Sequence, residues 1–391
     1  MALNEIRLRK ASIILLVLTA GGCNPQPEDP LLTLLSPQES GVTFVNEIVE
    51  RQGLNVLTYE YFFNGGGVAV GDVTGDGRPD LYFTANMGPN ALYINEGEMR
   101  FRDATEEAGV AGGAGWTTGV TMADVNADGR LDIYVCKSGR VSEPLRRNEL
   151  YINNGDGTFT ERAAEFGLDD PSYSTHASFF DYDRDGDLDM FLVNHAVERY
   201  SRFDVELMKQ MRDPRAGDKL YRNDDGRFVD VTRESGIFGN PIGFGLSATV
   251  TDINGDGWPD VYVANDYVED DYLYMNNGDG TFTEELRLRM GHTSYSSMGV
   301  DIADINNDGL PDIYTLDMIP QDPVRRKLLQ GPFDFEKHDA MLAEGYGRQY
   351  MRNMLQLNNG NGTFSEIGQL AGVAETDWSW APLFADFDND G

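Results

Sequence analysis

A nine-residue acidic motif recurs along this chain, and its residue types suit a divalent cation. In the second copy, residues 124–132, positions 1, 3, 5 and 9 carry carboxylate or amide side chains and position 6 is glycine. With a backbone carbonyl at position 7, such a loop can supply most of the six to eight oxygen ligands that calcium takes. Glycine at position 6 permits the sharp turn that the loop requires. The motif therefore predicts calcium sites.

Five copies of the motif are complete, and each contributes five candidate ligand positions. The candidate ligands are Asp72, Thr74, Asp76, Arg78 and Asp80; Asp124, Asn126, Asp128, Arg130 and Asp132; Asp181, Asp183, Asp185, Asp187 and Asp189; Asp252, Asn254, Asp256, Trp258 and Asp260; and Asp304, Asn306, Asp308, Leu310 and Asp312. Position 7 varies freely, as expected where only its carbonyl oxygen is used. The first copy is the weakest candidate because Thr74 replaces Asp or Asn, and the third carries the most charge.

The acidic loops have two other interpretations. An EF-hand would place a bidentate Glu at position 12 on an exiting helix, whereas position 12 here is an apolar residue or Thr within a β-like run. The loops could also be acidic turns without metal. A sixth copy starts at Asp386 and stops at Gly391, and we expect it not to hold calcium because position 9 is missing.

Four β-like segments surround each complete loop. In the second copy, 117–124 leads into the loop, 132–136 leaves it, 149–153 follows, and 158–162 comes after the turn at 154–157. Four short antiparallel strands per repeat are typical of a propeller blade. The sequence predicts an all-β propeller with five complete blades and part of a sixth.

Strand direction separates the two ends of each predicted blade. Successive strands reverse, so the acidic loops lie at one end and the connections between the second and third strands lie at the other. These connections are long in the third copy (about 196–219) and the fifth (about 318–352), where 205–211 and 338–344 are the only helices that we expect. These connections contain many of the basic residues of this acidic chain: Arg199, Arg202, Lys209, Arg212, Arg215, Lys219, Arg325, Arg326, Lys327, Lys337, Arg348 and Arg352.

The N-terminus has the features of an export signal. Residues 1–22 contain basic residues and then a short apolar run before Cys23, and they resemble a bacterial lipoprotein signal in which that cysteine is lipidated. Conventional secretion is the alternative. Residues 23–40 are polar and proline-rich, which predicts a flexible linker before a propeller over 41–391, with short β-like runs from Gly41 onward. We expect an exported lipoprotein at the outer membrane or surface of a bacterium, attached to the membrane only through its lipid.

Composition restricts the classes of partner that the chain can bind. A formal net charge of -34 argues against nucleic-acid binding, because phosphate backbones require a basic face. Beside Cys23 the only other cysteine is Cys136, in a predicted strand, where it fits a small buried apolar side chain.

The loops in their strand context, the turn motif LYINNGDGTF at 150–159 and the repeat length resemble the FG-GAP/VCBS repeats of integrin-α-type β-propellers. The runs at 297–304 and 378–386 are similar, more narrowly, to bacterial cartilage-acidic-protein-like proteins, which often carry a C-terminal ASPIC/UnbV module. This resemblance covers about 41–391. It implies a propeller of seven blades in the full protein, bound calcium, and adhesion or ligand binding without a settled reaction. We therefore expect the chain to be C-terminally truncated.

No catalytic constellation stands out. His176, His195, His292 and His338 are scattered, and His195, which follows a second strand, is expected to face the end with the long connections. We predict a calcium-binding adhesion or ligand-binding module for a protein or polysaccharide, not an enzyme. The alternative is a polysaccharide lyase or hydrolase built on the propeller.

Overall fold

The computed structural model describes residues 32–197, 205–267, 269–329 and 335–389. Its main compact unit is Ser36–Ala385. The signal segment and Cys23 lie outside the described residues, as does the end of the sixth acidic loop. Within the described residues, no helix combines the length and the apolar character needed to cross a bilayer.

The main unit contains five four-stranded antiparallel sheets, each with its strands in chain order. The first three sheets are β1 (Val68–Gly71), β2 (Asp80–Phe83), β3 (Ala91–Gly97) and β4 (Arg100–Asp103); β5 (Thr117–Ala123), β6 (Asp132–Lys137), β7 (Glu149–Asn153) and β8 (Phe159–Glu161); and β9 (Ser174–Phe180), β10 (Asp189–Asn194), β11 (Lys219–Asp224) and β12 (Arg227–Asp230). The fourth is β13 (Gly245–Thr251), β14 (Asp260–Asn265), β15 (Tyr272–Asn276) and β16 (Phe282–Glu284).

The fifth sheet is interrupted by a long connection. A short strand β17 (Thr293–Ser294) precedes β18 (Gly299–Ala303) and β19 (Asp312–Leu316), and β20 (Gln349–Tyr350) precedes β21 (Met354–Asn358) and β22 (Phe364–Glu366). The sheet itself is β18-β19-β21-β22, while β17 and β20 form a separate parallel pair.

The sheets pack side by side through their faces. The first strands of successive sheets are neighbours, as β5 is with β1 and β9. Between the first two sheets, Tyr82 and Leu92 pack with Ile133 and Tyr151 in one apolar cluster, and similar clusters lie at the next three junctions. This is the packing of propeller blades, so the predicted all-β fold with four-stranded blades is confirmed.

The two ends of the blades differ as the strand directions predict. Each acidic loop joins the first and second strands, and the hairpin between the third and fourth strands lies at the same end, which we call the loop end. The connections between the second and third strands lie at the opposite end, which we call the connection end. They are longest in the third blade, 195–218, and the fifth, 317–353.

Helices are more numerous than predicted. They are α1 (Pro37–Ser40), α2 (Thr105–Ala108), α3 (Glu143–Arg146), α4 (Ala163–Phe166), α5 (Val205–Gln210), α6 (Leu286–Arg289), α7 (Pro323–Leu329), α8 (Phe335–Ala343) and α9 (Gly368–Ala371). Helices α5 and α8 correspond to the two expected segments, but the expectation that they are the only ones is wrong. The helices of four residues were missed because a single turn has no periodic apolar pattern to detect. Two of them, α2 and α4, end at Gly109 and Gly167, which adopt the left-handed conformation.

The segment before the first blade is packed but irregular. Every residue from Gly41 to Gly67 is described, and an isolated bridge between Arg51 and Leu54 stands where we expected β-like runs. Three of its aromatic residues, Tyr59, Tyr61 and Phe62, are buried in one cluster with Trp116 at the connection end. The expectation was wrong because these side chains bury themselves against other blades instead of pairing their backbone with a neighbouring strand.

One side chain at the connection end recurs in every blade. The residue before each third strand is Asn or Asp, and its Oδ1 accepts the backbone N–H where the second strand ends. The pairs are Asn90 with Ala85 (3.0 Å), Asn148 with Lys137 (2.7 Å), Asp218 with Asn194 (2.9 Å), Asp271 with Asn265 (2.9 Å) and Asn353 with Asp317 (2.8 Å). This contact fixes where each connection leaves and rejoins its sheet.

At this position an asparagine donates hydrogen bonds to the neighbouring hydroxyl groups, whereas an aspartate accepts hydrogen bonds from them. In the second blade, Asn148 donates through Nδ2 to the Tyr134 hydroxyl and to Ser174 Oγ, both at 3.0 Å. In the fourth blade, Asp271 Oδ2 accepts from the Tyr262 hydroxyl at 2.7 Å and from Ser297 Oγ at 2.8 Å. Burial raises the pKa of Asp271 to about 7, although its hydrogen bonds lower it.

Asp271→Asn is expected to make the protein more stable at pH 8. Because the folded-state pKa of Asp271 is raised, its ionised form costs stability, and the loss grows as pH rises from about 4 to above 7. The amide avoids that cost by donating to the two hydroxyls as Asn148 does. We expect a gain of about 2–4 kcal/mol in unfolding free energy at pH 8 and little gain at pH 4, measured by urea unfolding at constant saturating calcium.

Asn148→Asp is the matched reverse substitution. It should introduce a stability loss that grows over the same pH range. If both variants show the pH dependence of the unaltered protein, the buried carboxylate is not its source.

Candidate metal centres

Each acidic loop folds around its first aspartate. In the second loop, Asp124 Oδ1 accepts the N–H of Asp128 at 3.0 Å and Oδ2 accepts the N–H of Gly129 at 2.7 Å. The other four loops repeat this pair of contacts at Asp72, Asp181, Asp252 and Asp304. The position-6 glycines have φ between 83° and 101°, which a side chain would disfavour. The local sequence thus brings positions 1, 5 and 6 together.

The ninth-position aspartate is buried and holds three segments together. Asp132 is 1% exposed; its Oδ2 accepts the N–H of Val125 in the loop at 3.2 Å, and its Oδ1 accepts the N–H of Asn153 on β7 at 2.8 Å. The same two contacts are made by Asp80, Asp189, Asp260 and Asp312. One carboxylate therefore ties the loop and the third strand to the start of the second strand.

Burial makes these carboxylates costly to ionise. It raises the pKa of Asp132 and Asp260 to about 6 and that of Asp189 to about 7, while the two backbone hydrogen bonds lower it and the neighbouring loop carboxylates raise it again. An ionised carboxylate in such surroundings is stabilised by added positive charge.

The asparagine at the end of each third strand completes this arrangement, and sequence reasoning missed its role. Besides its N–H contact to Asp132, Asn153 donates through Nδ2 to the carbonyl of Leu131 at 3.2 Å and to that of Val73, in the preceding blade, at 2.8 Å. Asn276 and Asn358 reach the preceding blade in the same way. The signal was available, since every complete repeat has asparagine there: Asn95, Asn153, Asn223, Asn276 and Asn358.

The third loop brings the predicted carboxylates closest together. One oxygen from each of Asp181, Asp183 and Asp189 lies within 4.8 Å of the others, and no other trio of His, Cys, Asp or Glu does so in the described part of the chain. Asp187 at position 7 adds a fourth carboxylate, and its Oδ1 is buried without a hydrogen-bond partner. Burial and repulsion by Asp185 raise the pKa of Asp187 to about 6.

Side chains at position 7 also distinguish the loops, although only the carbonyl was expected to matter. In the second loop, Arg130 Nη2 lies 2.5 Å from Asp128 Oδ2 and its Nε donates to the carbonyl of Asn153 at 3.1 Å. Arg78 contacts Asp76 in the same way in the first loop. A guanidinium on the position-5 carboxylate competes with a cation for that oxygen. The first two loops are therefore weaker candidates than the third.

The donor set fits calcium. The side-chain atoms that could ligate the metal are carboxylate or amide oxygens, apart from the Thr74 hydroxyl. Such a set of oxygen ligands suits a hard cation. Each oxygen of Asp189 accepts one backbone N–H, at 3.0 and 2.8 Å, and so retains a lone pair. The buried orphan oxygen of Asp187 is the kind of atom that a cation or a water bound to it would satisfy. Ligands at positions 1, 3, 5 and 9 would come from the side chains and one at position 7 from the backbone.

Comparison with known protein families assigns these repeats. The family described as FG-GAP-like repeat matches residues 72–135, 141–192, 211–263, 252–315 and 337–391, which is most of the chain. The chain belongs to the FG-GAP repeat family. The recognition made from the sequence is confirmed.

Other FG-GAP relatives match smaller parts. Cartilage acidic protein 1 of Xenopus tropicalis is 28% identical over 58% of this chain and 32% of its own length, so the chain spans about a third of that relative. Integrin alpha-7 of Rattus norvegicus is 39% identical over 18% of this chain and 7% of its own length. A solved structure of an Agrocybe aegerita lectin, described as recognising non-reducing terminal N-acetylglucosamine, is similar with a TM-score of 0.38 and 18% identity, over 76% of this chain and 63% of that chain.

His195 does not reach the surface of this FG-GAP chain. His195 follows β10 at the connection end, but it is 0% exposed and packs against Tyr61, with ring centroids 4.9 Å apart. Its Nε2 lies 3.3 Å from Ser138 Oγ, and burial lowers its pKa to about 3. It lies at the connection end as expected, but the segment before the first blade covers it. Burial likewise lowers the pKa of His176 to about 4.

Asn276→Ala tests the contact between FG-GAP blades. It removes the Nδ2 donor to the carbonyl of Tyr182 (2.8 Å) and to that of Pro259 (3.2 Å), while the backbone N–H to Asp260 remains. Leaving a buried carbonyl unpaired should lower the unfolding free energy by about 1–3 kcal/mol in urea unfolding at constant calcium.

Asn223→Ala is the matched control. Asn223 Nδ2 donates to the carbonyl of Leu188 within its own blade at 3.2 Å, so its loss should cost less than that of Asn276. Equal losses in the two variants would show that the contact between blades adds nothing.

Proposed function

We propose that this FG-GAP chain is a calcium-binding, ligand-binding module of the bacterial cell envelope. Calcium occupies the acidic loops at the loop end, and a protein or polysaccharide docks at the connection end. The metal has a structural role: it neutralises buried carboxylates and holds the strands that each ninth-position aspartate joins. The proposal for metal rests chiefly on the third loop, where Asp181, Asp183 and Asp189 converge beside the unpartnered oxygen of Asp187. Affinity in the weak range of extracellular modules, about 10⁻⁴ to 10⁻³ M, is sufficient.

Calcium affinity should follow the charge at positions 3 and 7. Asp183→Asn is expected to weaken the tightest site about tenfold or more, because it removes one charged ligand of the trio. Arg130→Gln should tighten the second site several-fold, since it removes the cation on Asp128. Titration calorimetry of calcium into the metal-free protein measures both changes.

Arg227→Gln is the control for net charge. Arg227 is exposed and contacts the carbonyl of Glu165 at 3.4 Å, outside any acidic loop. If Arg227→Gln tightens calcium as much as Arg130→Gln, the effect is one of overall charge and the local competition is refuted.

The proposal of a docking surface is supported by contacts that join the two long connections. Lys209 of α5, in the third-blade connection, lies 2.9 Å from Glu269 Oε1 and 3.5 Å from Asp270 Oδ2. Asp270 Oδ1 in turn accepts the N–H of Gly347 at 2.9 Å and Gln349 Nε2 at 2.8 Å, both in the fifth-blade connection. The two connections therefore meet across the fourth blade and make one continuous surface.

Apolar contacts support the same junction. Met208 of α5 packs with Ile242 and Tyr346 in a small buried cluster, with Met341 of α8 against it. Segments that lie 133 positions apart in the sequence, counted from Met208 to Met341, are thereby fixed relative to each other. A rigid surface loses less conformational entropy when it binds a ligand.

Among the basic side chains that the structure describes in these connections, more than half form internal ion pairs. Lys219 pairs with Asp170, and Arg325, Arg326 and Arg352 pair with Asp377, Glu375 and Glu366. Arg199 and Arg202 lie outside the described residues, as does the side chain of Lys337. Within the described residues, the exposed Arg212, Lys327 and Arg348 form no ion pair. Ligand recognition thus depends on a few cations and on shape.

Export and lipidation at Cys23 complete the proposal and rest on the sequence of residues 1–23.

A binding screen of the calcium-loaded protein against acidic and neutral polysaccharides and envelope proteins tests the function. Saturable binding without products is the expected result. Turnover of a polysaccharide would favour the alternative, a lyase or hydrolase, and the absence of binding by every ligand would contradict the proposal.

A further inference from the structure

A cavity of about 210 Å³ opens beside Asp270, where the fourth and fifth blades meet at the connection end. One wall comes from α6 and the turn that follows it, including Arg287, Met290 and His292. The other comes from the end of the fifth-blade connection, including Leu342 and Arg348. The parallel pairing of β17 with β20 holds the walls together, since the N–H of Thr293 donates to the carbonyl of Arg348 at 3.0 Å.

The carboxylate in this cavity is already neutralised. Asp270 Oδ2 accepts from Arg287 Nε at 3.0 Å and lies 3.5 Å from Lys209 Nζ, while its Oδ1 is taken by the two donors from the fifth-blade connection. Its side chain is 3% exposed, whereas that of Arg287 is 46% exposed. Asp270 therefore fixes Arg287 in place without cancelling its access to the cavity.

Arg348 supplies an uncompensated positive charge at the same place. It is exposed, and it forms no ion pair within the part of the chain that the structure describes. Acidic residues outnumber Lys and Arg by 65 to 31, and neighbouring arginines of the same connection, Arg325, Arg326 and Arg352, are paired. An unpaired arginine that lines a cavity is thus a local exception in an acidic protein, and it suits an anion that comes from outside the chain.

We propose that this cavity binds the carboxylate of a uronic acid unit in an acidic polysaccharide. The inference rests on the proposed function and names the ligand class for the same surface. Arg348 and Arg287 contact the carboxylate, for which the planar guanidinium offers paired donors. Met290 and Leu342 give the C–H face of the sugar ring an apolar wall.

The size of the cavity favours a sugar over an acidic peptide. At about 210 Å³ it is smaller than the roughly 300–1,000 Å³ of pockets for drug-sized ligands, and it matches one monosaccharide unit. The side chain of a glutamate or aspartate would leave most of it filled with water.

The net charge of -34 repels polyanions at long range, so recognition of an acidic polysaccharide depends on this local positive site.

The test uses the calcium-loaded chain at 0.15 M salt, where the Debye length is about 8 Å. The probes are tetramers of galacturonate, glucuronate and mannuronate, their neutral methyl esters, and a tetraglutamate peptide, with binding measured by calorimetry. We expect at least one uronate tetramer to bind, its methyl ester to bind at least tenfold more weakly, and Arg348→Gln to weaken the free acid at least tenfold. Arg227→Gln, which removes the same charge at the loop end, should leave the affinity unchanged.

Thermal unfolding of Arg348→Gln is expected to match that of the unaltered protein, because this side chain has no ion pair to lose. Equal binding by Arg348→Gln, by the methyl esters or by tetraglutamate would overturn the cavity assignment. If polysaccharide then still binds elsewhere at the connection end, the proposed function stands without this site. If no uronate tetramer binds, the inference is wrong, and the proposed function fails as well only when the wider screen is also negative.

Discussion

The ninth-position aspartate of each acidic loop is the contact on which the blade depends. In the third blade, Asp189 is fully buried, and its two oxygens accept the N–H of Tyr182 in the loop and of Asn223 on the third strand. Burial raises its pKa to about 7, so the ionised form needs compensating charge. A cation held by Asp181, Asp183 and Asp189 would provide it. The contact that organises the strands and the proposed metal site are therefore one arrangement.

This arrangement leaves the other end of the blade free to vary. The loops and hairpins keep nearly the same contacts in every blade, while the connections range from a short turn to the long segments of the third and fifth blades. Asp270 links those two segments through Lys209 and Gly347, so the variable parts still form a fixed surface. Ligand specificity can thus change at one end without disturbing the carboxylates at the other. This division suits a repeat fold in which each unit contacts mainly its neighbours.

Sequence reasoning recovered the blades but not the contacts between distant segments. The strand predicted at 132–136 corresponds to β6, Asp132–Lys137, because the spacing of the acidic loop and the short apolar run after it are local signals. Burial of His195 under Tyr61 was not predictable, since the two residues are 134 positions apart and no repeat relates them. The contact of Arg130 with Asp128 was missed for another reason: position 7 was treated as a backbone ligand alone. What periodicity does not encode is which side chains meet across blades.

Differential scanning calorimetry of the chain with and without calcium measures whether the metal stabilises the folded blades. Binding that is confined to the folded state should add about 1.4–2.7 kcal/mol per occupied site at 10 mM calcium, for dissociation constants of about 10⁻³ to 10⁻⁴ M. We expect Tm to rise by several degrees when calcium is added to chelator-treated protein, and to rise less with magnesium at the same concentration. An unchanged Tm after complete removal and restoration of calcium would show that the metal does not stabilise the fold.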